Sequence, residues 1–268
     1  MDIADEILTY YDQGLEDARL TTEASLELIR TQALLARFLP DSPARILDVG
    51  GASGVYAHWL TGRGYQVDLV DPVPVHVEQA RALGVRAELG DPRALQAADH
   101  SYDAVLLLGP LYHLTESADR IRALTEAARV VRPGGVVIAA AISRYASLFE
   151  GFFRSMIDEP GFTGMMRTDL RNGVHLNPDQ HPRRFTTSYF HTPEELSAEI
   201  TAVGLIGAAV LPVEGMLGWA PGISDRLADE SQRELVLDLL AETESDPALR
   251  AATSHLLGVG RTPADPIT

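Results

Sequence analysis

Apolar residues follow two alternating rhythms along the chain. Short, nearly continuous aliphatic runs occur at Arg45-Ile46-Leu47-Asp48-Val49, Gln66-Val67-Asp68-Leu69-Val70, Val85-Arg86-Ala87-Glu88-Leu89 and Ala104-Val105-Leu106-Leu107-Leu108. Between most of them lie stretches with apolar positions at helical spacing, such as Pro74 to Leu83 and Ala118 to Val131. A further run, Val136-Val137-Ile138-Ala139-Ala140, closes this regular part. Strands without polar alternation are buried on both faces. The pattern therefore predicts a doubly wound α/β fold, with a mostly parallel sheet covered by helices on each side.

The flanks of this core follow different patterns. Residues 5–38 have helical spacing, interrupted near Leu20-Thr21-Thr22, where a threonine can cap a second helix. After Ile142 the rhythm breaks, and residues 143–192 are irregular and rich in aromatic, Met, His and Arg residues. Thr192-Pro193-Glu194-Glu195 then has the signature of a helix start, with a threonine cap, proline in the first turn and acids near the positive dipole end. Strands are expected at Ile206 to Leu211 and at His255-Leu256-Leu257-Gly258-Val259, with a second insert over 213–250 between them. Inserts of this length are usually lids or binding walls. The whole, 1–268, reads as one domain: an N-terminal helical cap (1–40), a ligand-binding core (41–142), a substrate lid (143–192) and a C-terminal part of the core with its insert (193–268).

Composition narrows the function. The net charge of −16 argues against a nucleic-acid partner, since phosphate binding calls for a basic surface. No apolar run reaches the ~18 residues of a membrane span, and MDIADEILTYYDQ lacks the basic and apolar regions of a signal peptide, so a cytoplasmic location is expected. Without cysteine, thiolate chemistry and disulfides are excluded; with all 22 basic residues Arg, so is a lysine base. His175, His181 and His191 have no metal-ligand spacing, and no metal is expected.

The chemistry-bearing positions gather at strand ends. Gly50-Gly51-Ala52-Ser53-Gly54 turns from the first strand into a helix with little side chain in the way, so a ligand can approach the backbone and the helix N-terminus. The spacing is D-x-G-x-x-x-G, from Asp48 through Gly50 to Gly54; the dinucleotide pattern G-x-G-x-x-G fails at Ala52 and Val55. Asp71 ends the second strand, 17 residues after Gly54, where a carboxylate can accept from ribose hydroxyls. Asp91 follows the third strand, and Leu108-Gly109-Pro110-Leu111-Tyr112-His113 follows the fourth, at the edge where open α/β sheets bind ligands.

These signals in this order resemble the class I S-adenosylmethionine (SAM)-dependent methyltransferases, in particular bacterial members that act on small molecules. The resemblance covers about residues 45–142 and the helix at Thr192-Pro193-Glu194-Glu195-Leu196. It implies a seven-stranded sheet with a reversed last strand, SAM as cofactor and S-adenosylhomocysteine (SAH) as product. It also implies roles at matching positions: Gly50, Ala52 and Gly54 beside the methionine portion, Asp71 and the adjoining Pro72 at the ribose, Asp91 at the adenine amine, Leu108 and Gly109 beside the sulfonium. Tyr11 and Arg19, with Arg30 as a weaker choice, are candidates for the SAM carboxylate. Ala52 stands where the family often has glycine. Pro92 stands where it often donates a backbone N–H to adenine; proline has none, so the contact is lost or moves to Arg93.

His113 and Tyr112, just beyond the fourth strand, are the candidate catalytic groups, His113 as a base if the acceptor must lose a proton. Phe149, Phe153, Tyr189 and His191 are expected to bind an apolar, aromatic or indole-like natural product that accepts the methyl group at carbon, nitrogen or oxygen, although Phe149, Phe152, Phe153 and Met156 also have the spacing of a helix's buried face. The chain is expected to be a monomer or homodimer. The alternatives are a relative that uses the same fold for another reaction, and a SAM-binding regulatory protein.

Overall fold

The computed structural model describes residues 25–179, 181 and 184–264. The central strand is β1 (Arg45–Val49), buried over its last four residues. It runs parallel to β2 (Gln66–Asp71) on one side and to β4 (Tyr102–Leu107) on the other, and β2 pairs in parallel with β3 (Arg86–Leu89). Beyond β4 lies β5 (Val131–Ser143), whose register skips where Arg132-Pro133-Gly134-Gly135 loops out. On its far side β5 meets β9 (His255–Arg261), which runs antiparallel to it and to β8 (Ile206–Pro212). These seven strands are the parallel sheet with a reversed last strand that the sequence implies. Among the described residues the sheet has nine strands because the 143–192 insert adds two short ones, β6 (Val174–His175) and β7 (Ser188–His191). Ile142 near the end of β5 pairs with Phe190 of β7 as well as with His255 of β9, so β7 extends the sheet past the end of β4.

Alternate strand residues feed two cores. Ile46, Leu106 and Ile138 face one layer, made by α1 (Ser25–Phe38), α2 (Val55–Thr61) and α3 (Pro74–Ala82) through Leu34, Leu60 and Ala80. Leu47, Val105 and Val137 face the other, made by α5 (Ser117–Val130) and α8 (Pro193–Ala202) through Leu124 and Ile200. Each fully buried leucine contributes about 1.5–3 kcal/mol of transfer free energy. The predicted start of α8 forms a capping box: Thr192 Oγ1 accepts from the Glu195 N–H (3.2 Å), and Glu195 Oε2 accepts from the Thr192 N–H (2.9 Å).

Both inserts hold more regular structure than their sequences suggest. The first carries α6 (Ala146–Phe153) and α7 (Phe162–Asn172); the second carries a 3₁₀ turn (Gly215–Trp219), α9 (Ile223–Ala228) and α10 (Glu230–Thr243). The remaining helix, α4 (Pro110–His113), is a single turn directly after β4. No helix among the described residues is long and apolar enough to cross a membrane.

Candidate active site

A cavity of about 360 Å³ runs along the carboxyl edge of the sheet. One half lies over β1–β3. Its floor is the 50–54 turn, where Gly50 and Gly54 have φ of +67° and +86°. The Gly50 N–H donates to Val70 O (2.6 Å), and a Cβ on Gly50 would stand 2.6 Å from the Pro110 ring. A Cβ on Gly109 would meet Gly50 O at 2.9 Å, so this backbone approach requires glycine. Ala52 also lies in the left-handed region, at φ +48°, which costs an L-residue about 1–2 kcal/mol. Its N–H is held by Asp71 Oδ2 (2.9 Å), which fixes this conformation.

The acids expected at the strand ends line this half, each with partners. Asp71 Oδ1 accepts from the Val73 N–H (2.9 Å) and from His76 Nδ1 (3.1 Å), while Pro72 completes the turn in the cavity wall. Asp91 is gripped by Arg93 through Nη2 (2.9 Å) and Nε (3.0 Å), and the Arg93 N–H donates to the same carboxylate (2.9 Å). Burial alone would raise the Asp91 carboxyl, but these bonds hold it below the usual carboxylate range. The Arg93 N–H is thus spent on Asp91 and does not replace the donor missing at Pro92. Arg93 also bonds Asp119 (2.8 Å), which closes this end of the cavity. Beneath the glycine turn lies Asp48, fully buried, with neither oxygen bonded among the described residues. Burial first, and then the neighbouring Asp71 charge, pushes its carboxyl up to about 7.

The other half lies over β4, β5, β8 and β9. Leu108, Gly109, Tyr112 and His113 reach it from the end of β4, and Ala140 and Leu257 face each other across β5 and β9. Tyr112 and His113 make an edge-to-face pair at 4.6 Å, with the Phe185 ring 6.0 and 5.7 Å away. Burial pushes the His113 imidazole down to about 3, aided by the nearby His76 and opposed by a bond to the Thr187 backbone. His113 is therefore neutral near pH 7 and a weak base, contrary to the expectation of a base poised near neutrality. The loop after His113 is tied down by the buried Arg120, which bonds Leu114 O and Thr115 O (both 2.8 Å) and Glu199 of α8 (2.9 Å).

The four residues expected to touch the acceptor stand elsewhere. Phe149 and Phe153 of α6 pack on Trp219 at 4.7 and 5.9 Å; Phe152 and Phe153 are mostly exposed, whereas Met156 is buried with Phe162, so the expected buried face forms only in part. Tyr189 lies under the Arg120 guanidinium, 3.7 Å from ring centroid to Cζ. His191 is fully buried, with Nε2 3.2 Å from Glu199 Oε2. None of the four lines the cavity among the described residues, because each finds a packing or ionic partner first. Arg30 is buried and paired with Glu244. Tyr11 and Arg19 lie outside the described residues. No motif marks His76, nor Glu27 and His255, which line the second half, nor Glu214, which stands against His255.

Residues 47–139 match the methyltransferase domain family. They form a methyltransferase domain. An uncharacterized methyltransferase of Mycobacterium tuberculosis is 38% identical over 99 residues, which is 36% of this chain and 39% of that protein. The chain thus spans about two-fifths of the length of this curated relative. In fold, the chain is similar to a Thermotoga maritima SAM-dependent methyltransferase described as a possible histamine N-methyltransferase: TM-score 0.61, 16% identity, 97% of this chain and 99% of that one. It is also similar to the Burkholderia thailandensis 1,6-didemethyltoxoflavin-N1-methyltransferase, whose structure holds SAH: TM-score 0.57, 17% identity, 97% of this chain and 88% of that one. SAM is the cofactor of such domains, and the first half of the cavity fits it. The turn leaves room against bare backbone, and two strand-end carboxylates offer acceptors for ribose and amine donors; Asp48, buried beneath the turn, has no donor among the described residues.

Proposed function

We propose that this methyltransferase moves a methyl group from SAM to a small, predominantly apolar molecule seated over β4, β5, β8 and β9. The observation that carries this reading is the single cavity joining the glycine turn, Asp71 and Asp91 to a second compartment walled by Tyr112, Ala140, Val213 and Leu257. When bound, SAM supplies the electrophilic methyl group and its thioether leaving group. The chain's task is then to place the nucleophile in line and keep water out, and such positioning is worth up to about 7–11 kcal/mol. Tyr112 and His113 serve this as walls. Backed by the rigid Gly109-Pro110 turn and the Arg120 ties, they hold the acceptor at the boundary between the halves. An aromatic acceptor fits the Tyr112 ring by edge-to-face contact. The net charge of −16 favours a small molecule over a nucleic acid.

Incubation with methyl-labelled SAM and a panel of small phenols, heteroaromatics and amines tests the reading. Label is expected in at least one aromatic member, with stoichiometric SAH. Binding of SAH without label transfer to any member would contradict it.

A further inference from the structure

Glu27 of α1 and His255 at the start of β9 meet in the acceptor half of the cavity, and Glu214 after β8 stands against His255. His255 Nδ1 lies 2.5 Å from Glu214 Oε1 and 3.7 Å from Glu27 Oε2. The other Glu214 oxygen accepts from Thr253 Oγ1 (2.9 Å) and from the His255 N–H (3.0 Å). Glu214 is thus a buried carboxylate with three donors. Burial alone would raise its pKa, but His255 brings it below the usual range. An ionised acceptor at Nδ1 keeps a proton on that nitrogen and leaves the imidazole lone pair on Nε2. Glu214 also fixes the plane of the ring. His255 opens the strand that carries Leu257, opposite Ala140 in the cavity wall, and pairs across β5 with Ile142.

We propose that His255, oriented by Glu214, is the general base that takes the proton of a hydroxyl-bearing acceptor of the phenol class. This rests on the methyltransferase reading above and names its substrate class. A phenol has a pKa of about 10 and is nearly all protonated near pH 7, so its oxygen needs a base, whereas a neutral amine does not. The acceptor O–H proton passes to Nε2, and an oxygen lone pair forms the new O–CH₃ bond. The electron pair of the broken S–C bond stays on sulfur, and the imidazolium then loses its proton to water. His113 is the other histidine in this half, and its depressed pKa unsuits it to the task. One ligand atom from each of Glu27, Glu214 and His255 lies within 4.8 Å of the others, the reach of a metal site. A cation there would have to displace the His255–Glu214 bond, and both Glu214 oxygens already have protein donors.

The test uses the full chain saturated with SAH, and 4-nitrophenol with a series of substituted phenols as probes. SAH affinity is first compared among wild type, His255→Ala and His255→Gln, and is expected to agree within about twofold. Visible absorbance then reads how much bound phenol is ionised at neutral pH. Wild type is expected to show a phenolate fraction well above that of free phenol, and both variants are expected to lose it. With labelled SAM, kcat for phenols should fall about 10²–10⁴-fold in both variants. Added imidazole should restore part of it in His255→Ala, which lost packing alone would not allow. Phenol methylation that survives in both variants, turnover confined to amines, absence of phenol binding to the SAH complex, or a rate abolished by EDTA and restored by Mg²⁺ would each overturn the proposal. Failure of wild type to bind SAH would overturn the methyltransferase reading instead.

Discussion

Asp48 sits at the end of β1 with its carboxylate shut off from water and no donor among the described residues, and its pKa is about 7. Between pH ~4 and ~7 the folded chain keeps a proton there that the unfolded chain has released, so stability falls as pH rises through this window. Asp48→Asn is expected to be more stable than wild type by about 1–3 kcal/mol in urea unfolding at about pH 8, with the gap closing near pH 4. An equal gap at both pH values would contradict the assignment. His113 works in the opposite sense. Its pKa of about 3 lies below the ordinary 6.5, so the unfolded chain takes up a proton that the folded one refuses. Stability is therefore lost as pH falls through that window, by up to about 1.4 kcal/mol per pH unit. His113→Gln should flatten this acid limb, and an unchanged slope would mean that His113 is not held neutral.

At the scale of elements, the first insert is pinned rather than free. Asp169 of α7 is fully buried, and its Oδ2 accepts from Ser147 Oγ of α6 (2.6 Å) and from His175 Nδ1 of β6 (2.9 Å). Gly151 lets α6 and α7 cross closely, since a Cβ there would stand 2.7 Å from the Phe162 ring. Asp169→Ala leaves the Ser147 and His175 donors buried without their acceptor, at a cost of about 1–3 kcal/mol. Limited proteolysis within 146–175 should then be about 5–150-fold faster, because cleavage follows the population of the opened state. Cleavage at the wild-type rate would show that the insert is anchored elsewhere. The sequence read this segment as irregular because its helices are short and separated by Gly161 and Gly173, both with positive φ. Its aromatic residues announced packing without saying against what. Phe149 and Phe153 meet Trp219, more than sixty residues later, and no local spacing encodes that partner.

For the whole molecule, what could be read in advance was what one strand end reports by itself. Asp71, Asp91, Gly50 and Gly109 are each placed by the strand they end, and the parallel order of the sheet brings those ends together. Glu27, Glu214 and His255 could not be read this way. They come from a helix, a post-strand turn and a reversed strand, and only the closure of β8 and β9 on β5 makes them neighbours. Likewise the 2-residue step from Asp91 to Arg93 hid a clamp that shows only in three dimensions. The half of the cavity over β1–β3 is proposed to hold SAM and to depend on Asp71, which bonds both the Ala52 N–H and His76. Calorimetric titration of SAH into wild type and Asp71→Ala, with NAD as control, tests it most directly. Wild type should bind SAH and not NAD, and the folded variant should bind SAH about 5–150-fold more weakly, the loss of about 1–3 kcal/mol expected for bonds to a charged group. SAH affinity unchanged in a folded Asp71→Ala variant, or NAD binding in place of SAH, would contradict it.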